Sequence, residues 1–223
     1  MTKEIFEKRL ADGRLGEDLI SRWFRSFGWN VVPAYETSID SGKGPRFFAA
    51  SGDAIVSPDL LIFQEREFRW VEAKRKSAFT WYRINESWQT GIDRRHWQEY
   101  LRVRETSKLP VYLFFLHEPG HAAVDTPDGM VSPSGLYGES LDVLRGKIDH
   151  ESDRHGPSGM VYWRESDLKK YAEYSMILER LKCLSCAYHK VDPRACGMCA
   201  DVFGKNQKSP VAETQDCDIL PAE

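Results

Sequence analysis

Residues 58–74 read PDLLIFQEREFRWVEAK, and this stretch decides the fold that the sequence predicts. Its pattern predicts two antiparallel strands, residues 59–63 and 68–74, joined by a short charged turn. The first strand is apolar on both faces, which is typical of a strand at the middle of a sheet. In the second strand alternate side chains share a face, so Glu72 and Lys74 project to the same side.

The hairpin predicts a cluster of two carboxylates and a lysine. Asp59 begins the first strand, and a short turn brings it close to Glu72 on the second, where a buried carboxylate is costly unless it is paired or bound to a metal. Two such carboxylates favour a hard divalent cation, Mg²⁺ or Mn²⁺. Lys74 could then orient or deprotonate an attacking water and offset charge on a phosphate. The alternative is structural: Asp59 caps a turn, and Glu72 pairs with Lys74 across the sheet.

Apolar periodicity and capping residues predict the elements outside the hairpin. They are a helix over residues 12–27 ended by Gly28, an extended segment from Val31, a helix over 94–106 capped by Asp93, strands over 111–116 and 160–163, and a helix over 166–181 capped by Ser166. The aromatic stretch 77–91 has no clear period and predicts a long loop. This order predicts a mixed α/β domain.

Composition places the chain among soluble globular proteins. Its 223 residues are 41% hydrophobic and 29% charged, and they are enough for one sizeable core and a small appendage. No apolar run is long enough to cross a bilayer, and the charged N-terminus is not a secretory signal, so we expect a cytoplasmic protein without a membrane partner. The net charge is −3, but residues 1–110 hold 19 basic and 16 acidic residues. This half can therefore offer the local positive potential that nucleic acid requires.

The motif resembles the signature of the PD-(D/E)XK nuclease superfamily. Pro58-Asp59, followed by Glu72-Ala73-Lys74 on the next strand, matches that signature. The resemblance implies a restriction-endonuclease-like αβββαβ core, dependence on Mg²⁺ and hydrolysis of phosphodiester bonds. It also implies that Asp59, Glu72 and the Ala73 carbonyl are metal ligands and that Lys74 is the catalytic lysine.

Two further catalytic candidates follow from the same resemblance. Many members carry a glutamate on the first helix, a position that Glu17 matches, although a solvent-facing glutamate is the plain alternative. Members related to RecB-type and Holliday-junction-resolving nucleases add a Gln or Tyr on the helix after the motif. Gln98 is the candidate there, whereas Tyr100 is assigned to the core.

Aromatic and basic residues near the motif are the predicted DNA contacts. Exposed aromatic rings beside basic residues suit base stacking, and arginines on the polar side of a helix suit phosphates. The alternative for the rings is packing over a sheet edge. The predicted DNA-binding residues are Lys76, Trp81, Arg83, Arg94 and Arg95.

Four cysteines predict a second metal site. Cys183-x-x-Cys186 and Cys196-x-x-Cys199 form two knuckles whose thiolates can surround one tetrahedral Zn²⁺. An iron–sulfur cluster or reduced thiols are the alternatives. A site closed by four protein ligands is structural or serves recognition, and metal binding would supply the folding energy of so short a module. Cys217 is expected to be a free thiol.

The sequence therefore predicts a nuclease-like domain over residues 1–181, a zinc-binding module over 182–203 and a disordered acidic tail over 204–223. The expected function is that of a Mg²⁺-dependent DNA endonuclease in phage or bacterial DNA processing, repair or defence. The alternatives are a nuclease-fold module that binds DNA or a protein without cutting, and an enzyme that cleaves RNA. A protein partner of the zinc module or a second copy of the chain is a further expected partner.

Overall fold

The computed structural model describes residues 3–34, 46–120, 126–156 and 158–185, with side chains described only within 13–180. In these ranges the helices are α1 (Lys3–Ser26), α2 (Arg94–Ser107), α3 (Leu141–Leu144) and α4 (Tyr174–Ser185). The strands are β1 (Asn30–Pro33), β2 (Arg46–Phe48), β3 (Ala54–Val56), β4 (Leu60–Gln64), β5 (Glu67–Lys76), β6 (Thr80–Tyr82), β7 (Ser87–Asp93), β8 (Val111–His117), β9 (Gly135–Ser140), β10 (His150–Ser152), β11 (Met160–Arg164) and β12 (Lys169–Ala172).

The main sheet has six strands in the order β1-β4-β5-β8-β9-β12. The strands β1, β4 and β5 form an antiparallel meander, β8 runs parallel to β5, and β9 and β12 add antiparallel neighbours. The predicted mixed α/β architecture is confirmed. Its central part follows the predicted order of one helix, three antiparallel strands, a second helix and a parallel strand.

The strands β4 and β5 form the predicted antiparallel hairpin. Leu60 lies opposite Val71 and Phe63 lies opposite Phe68, so Asp59 immediately precedes the first paired residue. On its other side β5 pairs with β8 over its last seven residues. The strand β5 is therefore central to the sheet at the end where Glu72 and Lys74 lie.

Two apolar cores cover the two faces of the sheet. One packs α1 and α4 on it, with Ile20 and Val71 as members, and the other packs α2 on it, with Tyr100 and Leu113 as members. Alternate residues of β8 pack into the two cores, because successive side chains of a strand point to opposite faces. This position between two cores explains why β4 and β8 are apolar on both faces.

Two sequence predictions were wrong. Residues 77–91 are not a long loop, because β6 and most of β7 lie there and form a second sheet in the order β10-β11-β7-β6. The predicted helix over 166–181 begins only at Tyr174, after a 3-10 turn and the strand β12, which pairs with β9. In both cases the pairing partner lies far away in the sequence, where local periodicity does not reveal it.

The capping predictions for the first two helices were confirmed, whereas Ser166 does not cap a helix of the predicted length. Gly28 has a φ of 80° directly after α1, a conformation in which glycine has no steric cost. Asp93 caps α2, since its side chain accepts a hydrogen bond from the backbone N–H of Arg95. The second helix therefore begins where the sequence predicts, and this fixes which of its residues face the sheet.

Candidate active site

The end of the β4–β5 hairpin holds two buried carboxylates. Asp59 is 9% exposed and Glu72 is 1% exposed. The Oδ2 atom of Asp59 accepts a hydrogen bond of 2.9 Å from the backbone N–H of Ala73. This bond fixes the Asp59 carboxylate against the strand that carries Glu72, as the hairpin argument predicts.

Lys74 forms an ion pair with Glu72. The side chains of Asp59 and Tyr100 also lie within hydrogen-bonding reach of Glu72. Although burial alone lowers the pKa of Lys74, the carboxylates of Glu72 and Asp59 outweigh it and hold that pKa above its usual value. Lys74 is therefore an ammonium group at neutral pH.

The carboxyl group of Asp59 has a strongly raised affinity for a proton. Burial and then the charge of Glu72 raise the pKa of Asp59 to about 7, while Lys74 and the Ala73 hydrogen bond oppose the rise. Two carboxylates in one desolvated place cannot both ionise without cost. Near neutral pH a cation that replaces this proton would therefore stabilise the two carboxylates.

Glu17 reaches the same site from α1, as predicted. Burial and then the charge of Asp59 raise the pKa of Glu17 to about 7, while Lys74 and Arg14 lower it. The preceding residue explains the close approach, because a Cβ on Gly16 would lie 2.6 Å from the Cβ of Arg75 on β5. A glycine there lets the helix lie against the strand beside Lys74.

The second helix contributes a different residue from the one predicted. Gln98 is exposed, and two residues along a helix turn a side chain through about 200°, so Gln98 and Tyr100 point to opposite sides. Tyr100 is buried in the α2 core as expected, but burial and then the charges of Glu72 and Asp59 raise its pKa well above the usual value. The helix residue next to the carboxylates is therefore Tyr100. The resemblance allows a tyrosine at this position, but the apolar stripe had assigned Tyr100 to the core.

His96 lies one turn before Tyr100 and also faces the site. Its ring stacks on that of Tyr100 with a centroid distance of 5.9 Å. Burial and the charge of Lys74 lower the pKa of His96, and the charges of Asp93 and Asp59 oppose that change. The imidazole is therefore neutral at neutral pH and offers one donor and one acceptor.

The donor set of this site suits a hard divalent cation. Within the described ranges no group of three or more His, Cys, Asp or Glu side chains is arranged to hold a metal ion. Asp59 and Glu72 supply two buried carboxylates close to each other. Mg²⁺ takes one or two protein carboxylates and keeps several waters, so these residues fit it without a third acidic side chain. The predicted Ala73 carbonyl ligand lies between Glu72 and Lys74 on β5.

The predicted DNA-binding residues have different surroundings. Lys76 is half-buried, whereas Arg83 and Arg95 are exposed. The ring of Trp81 packs edge-on against Trp88 at 5.1 Å, so it covers the second sheet in part. Arg94 forms ion pairs of 2.7 Å with both Glu151 and Asp153, and this leaves its charge less available to a phosphate.

The four-cysteine module lies outside the described residues, except that the backbone of Cys183 belongs to α4. Zinc binding there stays a prediction. Among the described residues, no helix is long and apolar enough to cross a membrane.

Comparisons with known proteins add little to this geometry. No family model matches the chain, and no curated protein matches it. Among solved structures, the chain is similar to that of Archaeoglobus fulgidus Hjc, a Holliday junction resolvase from an archaeal hyperthermophile. The identity is 8%, the match covers 70% of this chain and 90% of that chain, and the TM-score is 0.41. The functional assignment of this protein therefore rests on its own site.

Proposed function

We propose that this protein is a divalent-metal-dependent nuclease with a restriction-endonuclease-like fold that hydrolyses phosphodiester bonds in DNA. The observation that carries the proposal is the buried pair Asp59 and Glu72, joined to Lys74 at the end of a central strand. A structural ion pair would need one carboxylate for one lysine. Here a second carboxylate, raised in pKa, lies beside them.

In this proposal Asp59 and Glu72 hold Mg²⁺ or Mn²⁺, with the Ala73 carbonyl as a further oxygen ligand. The bound cation supplies Lewis-acid activation of water and phosphate. Asp59 is positioned for its part by the backbone N–H of Ala73. Glu72 is held in a desolvated place where electrostatic interactions are stronger than in water.

Lys74 stabilises charge on the reacting phosphate. Because the carboxylates hold its pKa above the usual value, it donates hydrogen bonds and does not act as the base. A preorganised ammonium group directed at developing charge contributes more in a water-poor site than it would in solution. Burial and then the neighbouring carboxylates raise the pKa of Tyr100 and keep it protonated, so its hydroxyl is a neutral donor within the site.

Glu17 acts beside this set as a second acidic group. Its pKa of about 7 places it between its protonated and charged forms at neutral pH. A carboxyl group in that range can accept a proton from a water or stabilise a hydrated cation. We assign it to water positioning, since Asp59 and Glu72 already supply the direct ligands.

The test is a cleavage assay with purified protein on plasmid, linear and branched DNA, and on RNA, with Mg²⁺ or Mn²⁺. We expect cleavage of DNA by the wild type and losses on the order of 100-fold or more in Asp59→Asn, Glu72→Gln and Lys74→Met. Glu67→Gln is a matched control, because Glu67 lies exposed at the other end of β5 and pairs with Arg69. Equal cleavage by the three site variants and the control would rule out this active site.

The alternative function is a binding module of the same fold that does not cut. It predicts that wild type binds DNA or a protein without cleaving any substrate with either cation. An RNA-cleaving enzyme is distinguished in the same assay by competition between DNA and RNA.

A further inference from the structure

Lys76 lies two residues beyond Lys74 on β5, on the face of the strand that carries Glu72 and Lys74. It is half-buried, and the structure pairs it in register with His117 on β8. Lys76 thus belongs to the row of side chains that forms the proposed active site. Its position is set by a central strand, which is more rigid than a loop.

The other cations of β5 each have an acidic partner. Arg69 pairs with Glu67, Lys74 pairs with Glu72, and Arg75 pairs with Glu118. No carboxylate of the described ranges forms an ion pair with Lys76. Burial and then the like charge of Lys74 lower the pKa of Lys76 to about 8.

The neighbour on β8 does not offset this charge. His117 is 0% exposed and stacks on Phe79 with a centroid distance of 3.6 Å. Burial and the charge of Lys76 lower the pKa of His117 to about 3, so the ring is neutral. A half-buried ammonium group beside another ammonium group costs free energy in the unbound protein, and an anion from outside the chain would remove that cost.

We propose that Lys76 binds the phosphate next to the reacting phosphate on the same nucleic-acid strand. Two residues of a β-strand span about 6.6 Å, which is of the same order as the separation of neighbouring phosphates along one strand. Lys74 and Lys76 therefore contact two consecutive phosphates. This inference rests on the proposed function and deepens it, because it makes a polynucleotide the preferred substrate over a small phosphodiester with one phosphate.

The test uses duplexes in which one phosphate is replaced by a neutral methylphosphonate, at each position around the cleavage site. Binding is measured without divalent cation and single-turnover cleavage with Mg²⁺, for wild type and Lys76→Gln. For the wild type, neutralising one neighbouring phosphate should weaken binding by about 5- to 10-fold. For Lys76→Gln, the same substitution should cost nothing further, since the contact is already lost.

The salt dependence gives a second measurement. Removal of one phosphate contact should reduce the slope of log affinity against log salt by about 0.9. Lys76→Arg should keep most of that slope. Lys147→Gln is the matched control, because Lys147 is a surface lysine near Asp167, and it should leave both slope and methylphosphonate effect unchanged.

If Lys76→Gln and the methylphosphonate substitution weaken binding additively, the inference is overturned while the nuclease proposal stays intact. So would a wild type that is insensitive to methylphosphonate at both neighbouring positions. A wild type that neither binds nor cuts nucleic acid would overturn both proposals. A thermal melt of each variant identifies any loss of affinity that comes from unfolding.

Discussion

Asp59 is the residue at which stability and proposed chemistry oppose each other most directly. Its carboxyl group is buried beside Glu72, and its pKa of about 7 lies well above the ordinary value of 3.8. In the folded state it binds a proton that the unfolded state has already released at pH 5 or 6. Linkage then requires that the free energy of unfolding falls as pH rises from about 4 to about 7.

Asp59→Asn should therefore stabilise the metal-free protein. The amide removes a buried charge above pH 7 and keeps an acceptor for the Ala73 N–H, so we expect a gain on the order of 1–2 kcal/mol, or a rise of roughly 2–8 °C in Tm at pH 8. At pH 5 the gain should be smaller, because the native carboxyl is protonated there and only the unfolded carboxyl is ionised. Thermal melts in a chelating buffer at the two pH values measure this. Glu105→Gln, an exposed change on α2, should show neither effect.

Metal affinity should fall as pH drops through 7. Asp59 and Glu17 both have a pKa of about 7, so a cation must displace protons from this site below that value, and its apparent affinity decreases. Calorimetric titration with Mn²⁺ at pH 6.5 in buffers of different ionisation enthalpy should reveal about one released proton per ion. Affinity that stays the same between pH 6 and pH 8 would contradict the assignment of these carboxylates to the cation site.

The contact between α1 and β5 depends on a glycine of the helix. Gly13 and Gly16 lie in the same helix, where replacing glycine with alanine ordinarily stabilises by roughly 0.5–1 kcal/mol. Their surroundings differ. A Cβ at Gly13 meets only the end of Glu17 at 4.0 Å, whereas a Cβ at Gly16 would lie 2.6 Å from the Arg75 Cβ and 3.3 Å from its backbone N.

We therefore expect opposite signs for the two alanine variants. Gly13→Ala should raise the free energy of unfolding slightly. Gly16→Ala should lower it by about 1–3 kcal/mol, because the helix must move away from the strand, and cleavage should fall with it since Glu17 moves too. Chemical denaturation and cleavage rates of the two variants measure this. Stabilisation by Gly16→Ala would show that the helix shifts freely.

How far the sequence predicts these elements depends on the range of their contacts. The hairpin of β4 and β5 forms from neighbours in sequence, and its apolar run and turn predict it in full. The strand β7 instead pairs Gln89 with Arg164 on β11, and its own residues carry no period that shows this. Tyr100 was missed for a similar reason: a buried tyrosine on an apolar stripe looks like core until the carboxylates are seen beside it.

At the scale of the whole molecule, the proposed site lies where the two cores meet at one end of the main sheet. The first helix brings Glu17 from one face, and the second brings His96 and Tyr100 from the other, with β5 between them. A site shared by both layers is assembled only when the complete sheet has formed. This explains why the sequence predicts the ligands on β4 and β5 better than it predicts their neighbours on α2.

The first cysteine of the predicted module, Cys183, lies in α4, and this helix packs on α1. Arg180 of α4 donates hydrogen bonds to the Ser26 hydroxyl and backbone carbonyl at 2.7 and 2.9 Å and lies over the Phe27 ring. The helix α4 thus lies on the face of the sheet that carries α1. The carboxylate site draws its ligands from other elements. We therefore expect the two metal sites to be loaded independently.

Elemental analysis of purified protein should find one Zn²⁺ per chain and no absorption band near 400 nm, which an iron–sulfur cluster would produce. Cys196→Ser and Cys199→Ser should lose that zinc, because a tetrahedral site needs four ligands, while Mn²⁺ binding at Asp59 and Glu72 should persist. Cys217→Ser is the matched control and should keep the zinc. Iron together with a visible absorption band would show that the four cysteines bind an iron–sulfur cluster and not zinc. Variants that lose both metals together would show that the carboxylate site depends on the cysteine module for its fold.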